Sequence, residues 1–243
     1  MVTPPDPVVD LRNVRKEFDG RSVLGGIDLA VEAGRFVSIL GPSGCGKSTL
    51  FSVIAGLDRA DTGSVDAPPC AYMPQKDLLF PWRTVLANTA LGLEVQGVPA
   101  ARARETANEL FPAFGLDGFQ DARPAALSGG MRQRAALLRT VVQGREVVLL
   151  DEPFGALDSI TRSAMQDWLE DVWQRYRWTV LMITHDVREA VHLSDRVVVL
   201  SPRPARVVDD VTVTLPRPRG ADRVTTPEFA EYERRLLASL RTA

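Results

Sequence analysis

Hydrophobic and polar positions fall into three successive patterns along the chain. Up to about residue 40 the apolar positions fall in strand-like stretches, 8–14, 23–31 and 35–40, punctuated by Gly20, Gly25, Gly26 and Gly34. Between Thr84 and Phe114 the pattern turns helical, with Ala, Leu, Glu and Arg dominating and Pro99 at a helix start. Alternation then returns: a helix from about Gly130, a strand over 147–150, a helix over 160–176, a strand over 179–183, a short helix, and a strand over 196–200. Strands alternating with helices predict a mostly parallel sheet covered on both faces. No internal repeat is found. The chain therefore reads as one domain over 1–243, with a helical insertion over about 77–134 and a C-terminal appendage over about 201–243.

The helix over 160–176 places Ala164, Trp168, Leu169, Val172 and Trp173 on one face, with Asp167, Glu170, Asp171 and Arg175 between them. A Trp pair at that spacing reads as core. The tail from Ser201 is punctuated by prolines through Arg219, and Thr226 and Pro227 then start a helix carrying Phe229, Leu236, Leu237 and Leu240. It is expected to dock on the body.

Composition narrows the classes of function. With 45% hydrophobic and 25% charged residues, the 243-residue chain is that of an ordinary globular protein. A net charge of −2 provides no global field for nucleic acid, so no nucleic-acid partner is expected. No apolar run approaches membrane-span length, and Met1 to Asp10 shows no secretory pattern, so the expected compartment is the cytoplasm. Cys45 and Cys70 are not spaced with His185 and His192 as a structural zinc site. Only three lysines occur, Lys16, Lys47 and Lys76, so a lysine inside a motif carries weight.

Lys47 lies in such a motif. Gly41-Pro42-Ser43-Gly44-Cys45-Gly46-Lys47-Ser48-Thr49 matches the phosphate-binding loop G-x-x-x-x-G-K-[ST], between an apolar strand and an apolar helix. Its glycines let backbone N–H groups turn toward phosphate oxygens, and the helix start adds its dipole. Lys47 supplies a point charge for the β and γ phosphates, Ser48 offers a hydroxyl to Mg²⁺, and the Cys45 thiol is incidental. A second element, Val147 to Leu150 followed by Asp151, Glu152 and Pro153, brings adjacent acids to the end of a buried strand, the edge where open α/β sheets bind ligands. Alone, that pair reads as a helix-cap signal. Beside a phosphate loop it reads as a hydrolysis site, with Asp151 on the metal and Glu152 polarising the attacking water.

Leu127-Ser128-Gly129-Gly130-Met131-Arg132-Gln133-Arg134 precedes a helix upstream of Asp151. Here the chain resembles the ATP-binding subunit of an ABC transporter, whose signature is LSGGQ, and the resemblance covers nearly the whole chain. It implies a P-loop NTPase (RecA-like) α/β core, an N-terminal antiparallel β subdomain and an inserted α-helical subdomain. It also implies ATP and Mg²⁺ as ligands, and a head-to-tail dimer in which Ser128, Gly129 and Gly130 complete the partner's site. Gln75 matches the Q-loop glutamine, a carbonyl ligand for Mg²⁺. Asp158, in Gly155-Ala-Leu-Asp158, matches the D-loop, and His185 the switch histidine that donates to the γ-phosphate. Phe18 stands where the family stacks adenine, while His192 keeps an ordinary structural reading. Met131 replaces the signature glutamine, and the stretch 62–72 is short for the family.

The chain carries no membrane helices of its own, so the resemblance implies separate permease subunits, a peripheral place on the cytoplasmic face of the cell membrane and, indirectly, an extracytoplasmic substrate-binding protein. Leu78-Leu-Phe-Pro-Trp82, Pro153 to Asp158 and the Pro-Arg-Pro repeats of the tail resemble importers of the nitrate, sulfonate and taurine type, a group that includes pyrimidine-precursor importers. The alternatives are the separate ATPase of an exporter or lipid transporter, and a non-transport ABC ATPase. The run Leu78 to Trp82 reads equally as helical-block core and as a groove for a coupling helix of the permease.

Overall fold

A computed structural model describes residues 6–242; the first five positions of the Met1–Asp10 stretch and the last residue of the tail lie outside the described residues. The chain opens with β1 (Val9–Phe18), β2 (Arg21–Val31) and β3 (Phe36–Leu40), followed by α1 (Lys47–Ile54), β4 (Thr62–Asp66) and β5 (Ala71–Met73). The helical block holds α2 (Val85–Thr89), α3 (Leu91–Val95) and α4 (Ala100–Glu109), and ends in α5 (Gly129–Val141). The core resumes with β6 (Val147–Asp151), α6 (Ser159–Tyr176), β7 (Thr179–Ile183), α7 (Val187–Leu193) and β8 (Arg196–Leu200). The tail supplies β9 (Val207–Thr212), α8 (Ala221–Val224) and α9 (Pro227–Thr242).

Two sheets organise these elements. β2, β1 and β4 form an antiparallel three-stranded sheet, and a six-stranded sheet runs in the order β5-β6-β7-β3-β8-β9. All neighbours in the second sheet are parallel except β8 and β9. Its central strands β3, β6 and β7 are buried at every position, which is why they read as unbroken apolar runs rather than as alternation. One apolar cluster joins the helical block, α5 and α6 to one face of this sheet. A second lies between the antiparallel sheet, α1 and the other face, and a third seats α7 and α9 beside β8 and β9.

Three readings are corrected by the structure. The first strand continues to Phe18 because a bulge at Asn13, with φ 48°, shifts the register between Leu11 and Val14 and breaks the alternation. The proline-rich start of the tail contains β9, an edge strand paired to β8. Glu170, expected on the polar face of α6, is 2% exposed, because Arg217 and Arg219 reach it from the tail. The core reading of Trp173 stands at 1% exposed, whereas Ala164 faces solvent and Trp168 is half-buried. The tail does dock: Phe229 and Leu236 of α9 are fully buried, while Leu237 is exposed.

Candidate functional site

The parallel order β5-β6-β7-β3 brings four loop segments to one edge of the sheet. β3 leads into the phosphate loop, β7 ends at Ile183 before His185, β6 ends in Asp151 before Glu152, and β5 ends two residues before Gln75. These residues lie far apart in sequence and meet because each follows the C-terminal end of a neighbouring strand.

The loop itself turns through glycines with positive φ, Gly44 at 73° and Gly46 at 125°. A Cβ on Gly46 would lie 2.9 Å from Val23 Cγ1, so β2 backs the loop too closely for any side chain there. Lys47, 6% exposed, donates from Nζ to Gly41 O at 2.7 Å and Pro42 O at 2.9 Å, which holds the ammonium at the loop. Ser43, Gly44 and Ser48 are exposed, and Pro42 and Thr49 half-buried. Cys45 is 2% exposed and packs in the core, in keeping with its incidental reading.

Asp151, 5% exposed, lies beside this loop. Burial pushes its carboxyl above the usual carboxylate range, and hydrogen bonds from Ser48 and Tyr72 oppose that shift. The Tyr72 hydroxyl donates to Asp151 Oδ2 at 3.1 Å. Asp151 makes no ion pair among the described residues. Glu152 holds the next position with φ 45°, a left-handed conformation uncommon for a side-chain-bearing residue and fixed by its N–H donating to Ile183 O at 3.0 Å. That turn points its carboxylate at two partners. Gln75 Nε2 donates to Oε2 at 3.0 Å, and His185 Nδ1 lies 3.3 Å from Oε1. Thus Gln75, Glu152 and His185 are joined by side-chain contacts, and Asp151 precedes Glu152 at the strand end beside the loop that carries Lys47 and Ser48.

The remaining residues sit apart from it. Ser128 caps α5, accepting the Met131 N–H at 3.2 Å, and Asp158 caps α6 through Ile160 and Thr161. A Cβ on Gly129 would lie 3.3 Å from Leu157 Cδ2, so the turn before α5 abuts the turn before α6. Among the described residues, none of Ser128, Gly129, Gly130 and Asp158 is hydrogen-bonded to the phosphate loop. Phe18 is 46% exposed at the end of β1, with the Lys16 ammonium 5.0 Å from its ring centroid. His192 is buried, and burial lowers its proton affinity. The run Leu78 to Trp82 divides between its two readings: Leu79 is core, while Leu78 and Trp82 are exposed.

Two residues of the site escaped sequence reasoning. Tyr72 lies three residues before Gln75, and nothing local in the sequence marks its hydroxyl as a partner of Asp151. Arg139, on α5, donates to Leu78 O at 2.8 Å and to Asp77 O, tying the segment after Gln75 to the helix that Ser128 caps. An arginine on a helix face ordinarily reads as solvated, so this tie had no signal of its own.

Fold and site together define a phosphate-loop nucleoside triphosphatase. The ABC transporter family pattern matches residues 24–155. The chain is 47% identical over 237 residues to the aliphatic sulfonates import ATP-binding protein SsuB of Rhodopseudomonas palustris, covering 95% of this chain and 82% of that one. It is 45% identical over 236 residues to an ABC transporter ATP-binding protein of Methanocaldococcus jannaschii, covering 93% and 87%. Among solved structures, the dimeric structure of the bacterial ABC transporter cassette MJ0796 superposes with a TM-score of 0.73 at 28% identity, covering 85% of this chain and 99% of that one. This chain belongs to the ABC transporter family, as an ATP-binding and ATP-hydrolysing subunit related to those of the sulfonate importers.

Proposed function

We propose that this chain is a single ABC ATPase domain that powers solute import, working as a head-to-tail pair with a second copy of itself beneath separate permease subunits. The observation that carries the catalytic half is the contact of Glu152 with both Gln75 and His185 beside the phosphate loop. Glu152 is the general base for the attacking water, Lys47 and the loop amides hold the β and γ phosphates, and His185 donates to the γ-phosphate. Phe18 presents a ring face to adenine. Ser128, Gly129, Gly130 and Asp158, which lie apart from this chain's own loop, serve the site of the other copy.

The donor set suits Mg²⁺: a Ser48 hydroxyl, the Gln75 carbonyl and the buried Asp151 carboxylate, which makes no ion pair among the described residues, are hard oxygen ligands. When bound, the ion offsets charge that develops on the phosphates. Gln75 donates through its Nε2, which leaves its carbonyl oxygen free for that use.

Import rests on kinship with the SsuB proteins, whose names give aliphatic sulfonates, and the motifs extend the candidate class to nitrate and taurine-like solutes or pyrimidine precursors. An extracytoplasmic binding protein then supplies the solute, and the chain sits on the cytoplasmic face of the membrane. No helix among the described residues is long and apolar enough to cross a membrane. Leu78, Leu79 and Phe80 with Arg139 border a cavity of about 540 Å³ beside the exposed Trp82, a groove suited to a permease's coupling helix. Glu152→Gln is expected to abolish ATP turnover while retaining ATP and trapping a dimer in size-exclusion chromatography. Wild-type hydrolysis by that variant would overturn the reading. Co-purification of membrane proteins with an extracytoplasmic binding protein supports import; membrane proteins alone point to export.

A further inference from the structure

One buried acid has no part in the reaction just described. Glu189 of α7 is 5% exposed, and burial lifts its carboxyl to a pKa of about 7. Its Oε1 accepts from Gln166 Nε2 of α6 at 3.0 Å, its backbone N–H donates to Asp186 Oδ1 at 3.2 Å, and the Thr184 side chain lies near enough to the carboxyl group to oppose that upward shift. Thr184 Oγ1 accepts the Asp186 N–H at 3.0 Å. His185 therefore lies between two residues whose placement Glu189 helps to set. Asp186 caps α7 by accepting the N–H groups of Arg188 and Glu189 at 2.8 and 3.2 Å. From α6, Arg162 donates to Leu157 O at 3.0 Å and stands 4.0 Å from Asp186 Oδ2.

A buried carboxyl is costly, and an apolar side chain of similar volume would stabilise the packing of α7 more cheaply. What the carboxyl adds is a link in two directions: to the loop that presents His185, and to the helix that Asp158 caps. We propose that Glu189 is a positioning residue for His185, holding the imidazole against Glu152 and making that placement depend on where α6 and the Leu157–Asp158 turn stand. The inference rests on His185 acting in hydrolysis.

Three variants of the full chain test it. Glu189→Leu removes the hydrogen bond from Gln166 and the polar contact with Thr184 but fills the space, and is expected to lower kcat roughly tenfold with KM for ATP unchanged. Glu189→Gln retains an acceptor for Gln166 and is expected to recover most of that loss. The chain has two histidines, so the imidazole signals of labelled His185 can be followed by NMR, and they should shift or broaden in Glu189→Leu and not in Glu189→Gln. Wild-type kcat in Glu189→Leu, a change confined to KM, or unmoved His185 signals would overturn the proposal. The third variant, His185→Ala, separates the two levels: wild-type hydrolysis there removes the site reading and this inference together, whereas an inactive His185→Ala beside a fully active Glu189→Leu removes this inference alone.

Discussion

Gln75 Nε2 donates to Glu152 Oε2 at 3.0 Å, so the residue that leads into the helical block grips the acid at the end of β6. A shift of the helical block would thereby reach the proposed general base with no intervening residue. The strained φ of Glu152 keeps its carboxylate in reach of this grip and of His185 on the other side.

Replacing Gln75 with Glu should expose that grip in turnover. The donated hydrogen bond is replaced by two carboxylates in contact, and like charges repel. A hydrogen bond to a charged group is worth about 1.5–3 kcal/mol, so kcat should fall at least about tenfold. ATPase assays would show it; wild-type kcat in Gln75→Glu would mean that the contact is not made in the working enzyme.

Lys47→Ala should act on binding rather than on turnover alone. Its ammonium is held at the loop by two carbonyls, and a charge-assisted hydrogen bond is worth about 1.5–3 kcal/mol, so affinity for ATP should fall at least about tenfold. Equilibrium titration with a fluorescent nucleotide measures this directly, and undiminished affinity would contradict the loop's assignment.

The sequence and the structure agree where chemistry or burial leaves a local trace. The strands at Thr179–Ile183 and Arg196–Leu200 were legible to the residue, since burial on both faces makes a continuous apolar run. The phosphate loop, the acid pair and the histidine were legible as motifs, yet their meeting depends on the strand order, which no local pattern encodes. Glu170 was misread for the same reason: helical periodicity places it among polar neighbours, while the arginines that bury it arrive from the tail. β9 was hidden by the prolines around it, as an edge strand with one buried position has little apolar signal.

Tyr72→Phe removes the hydroxyl that Asp151 accepts while keeping the ring against Phe51, whose centroid lies 6.4 Å away. Losing a donor to the charged form raises the acid's proton affinity further. Mg²⁺-dependent nucleotide binding should therefore fail at a higher pH in the variant than in the wild type, by up to about one pH unit for a hydrogen bond worth about 1 kcal/mol. Identical pH profiles would remove Tyr72 from the site.

Arg219 is 1% exposed and donates to the carbonyls of Val191, Val213, Ser194 and Leu215. Arg219→Ala would strand those carbonyls in the core, while its backbone N–H would still donate to Glu170 Oε2 and Arg217 would still pair with Oε1. Losses on breaking a buried charged network run to about 3–5 kcal/mol. Denaturant unfolding should show a loss of this order, and a loss under about 1 kcal/mol would mean that the tail is not a structural part of the body.

Glu189 gives a stability signature of opposite sense to most carboxylates. Its folded pKa of about 7 lies above the unfolded value near 4.5 because burial disfavours the anion, with Gln166, Thr184 and Arg162 opposing and Asp186 reinforcing the shift. Arg188, Asp167 and His192 border the same cavity of about 260 Å³. Below pH 4.5 both states carry the proton and the group costs nothing. Between pH 4.5 and 7 the native state binds the proton that the unfolded state has lost, so its contribution to stability falls as pH rises, and above pH 7 the penalty is complete. Glu189→Gln has no such proton to lose. Relative to the wild type it should gain stability from pH 4.5 to 7, by about 3 kcal/mol at one pKa unit per 1.4 kcal/mol. Urea unfolding of both proteins at pH 5 and pH 8 measures the difference, and a stability gap that does not change with pH would show that Glu189 is ionised in the fold.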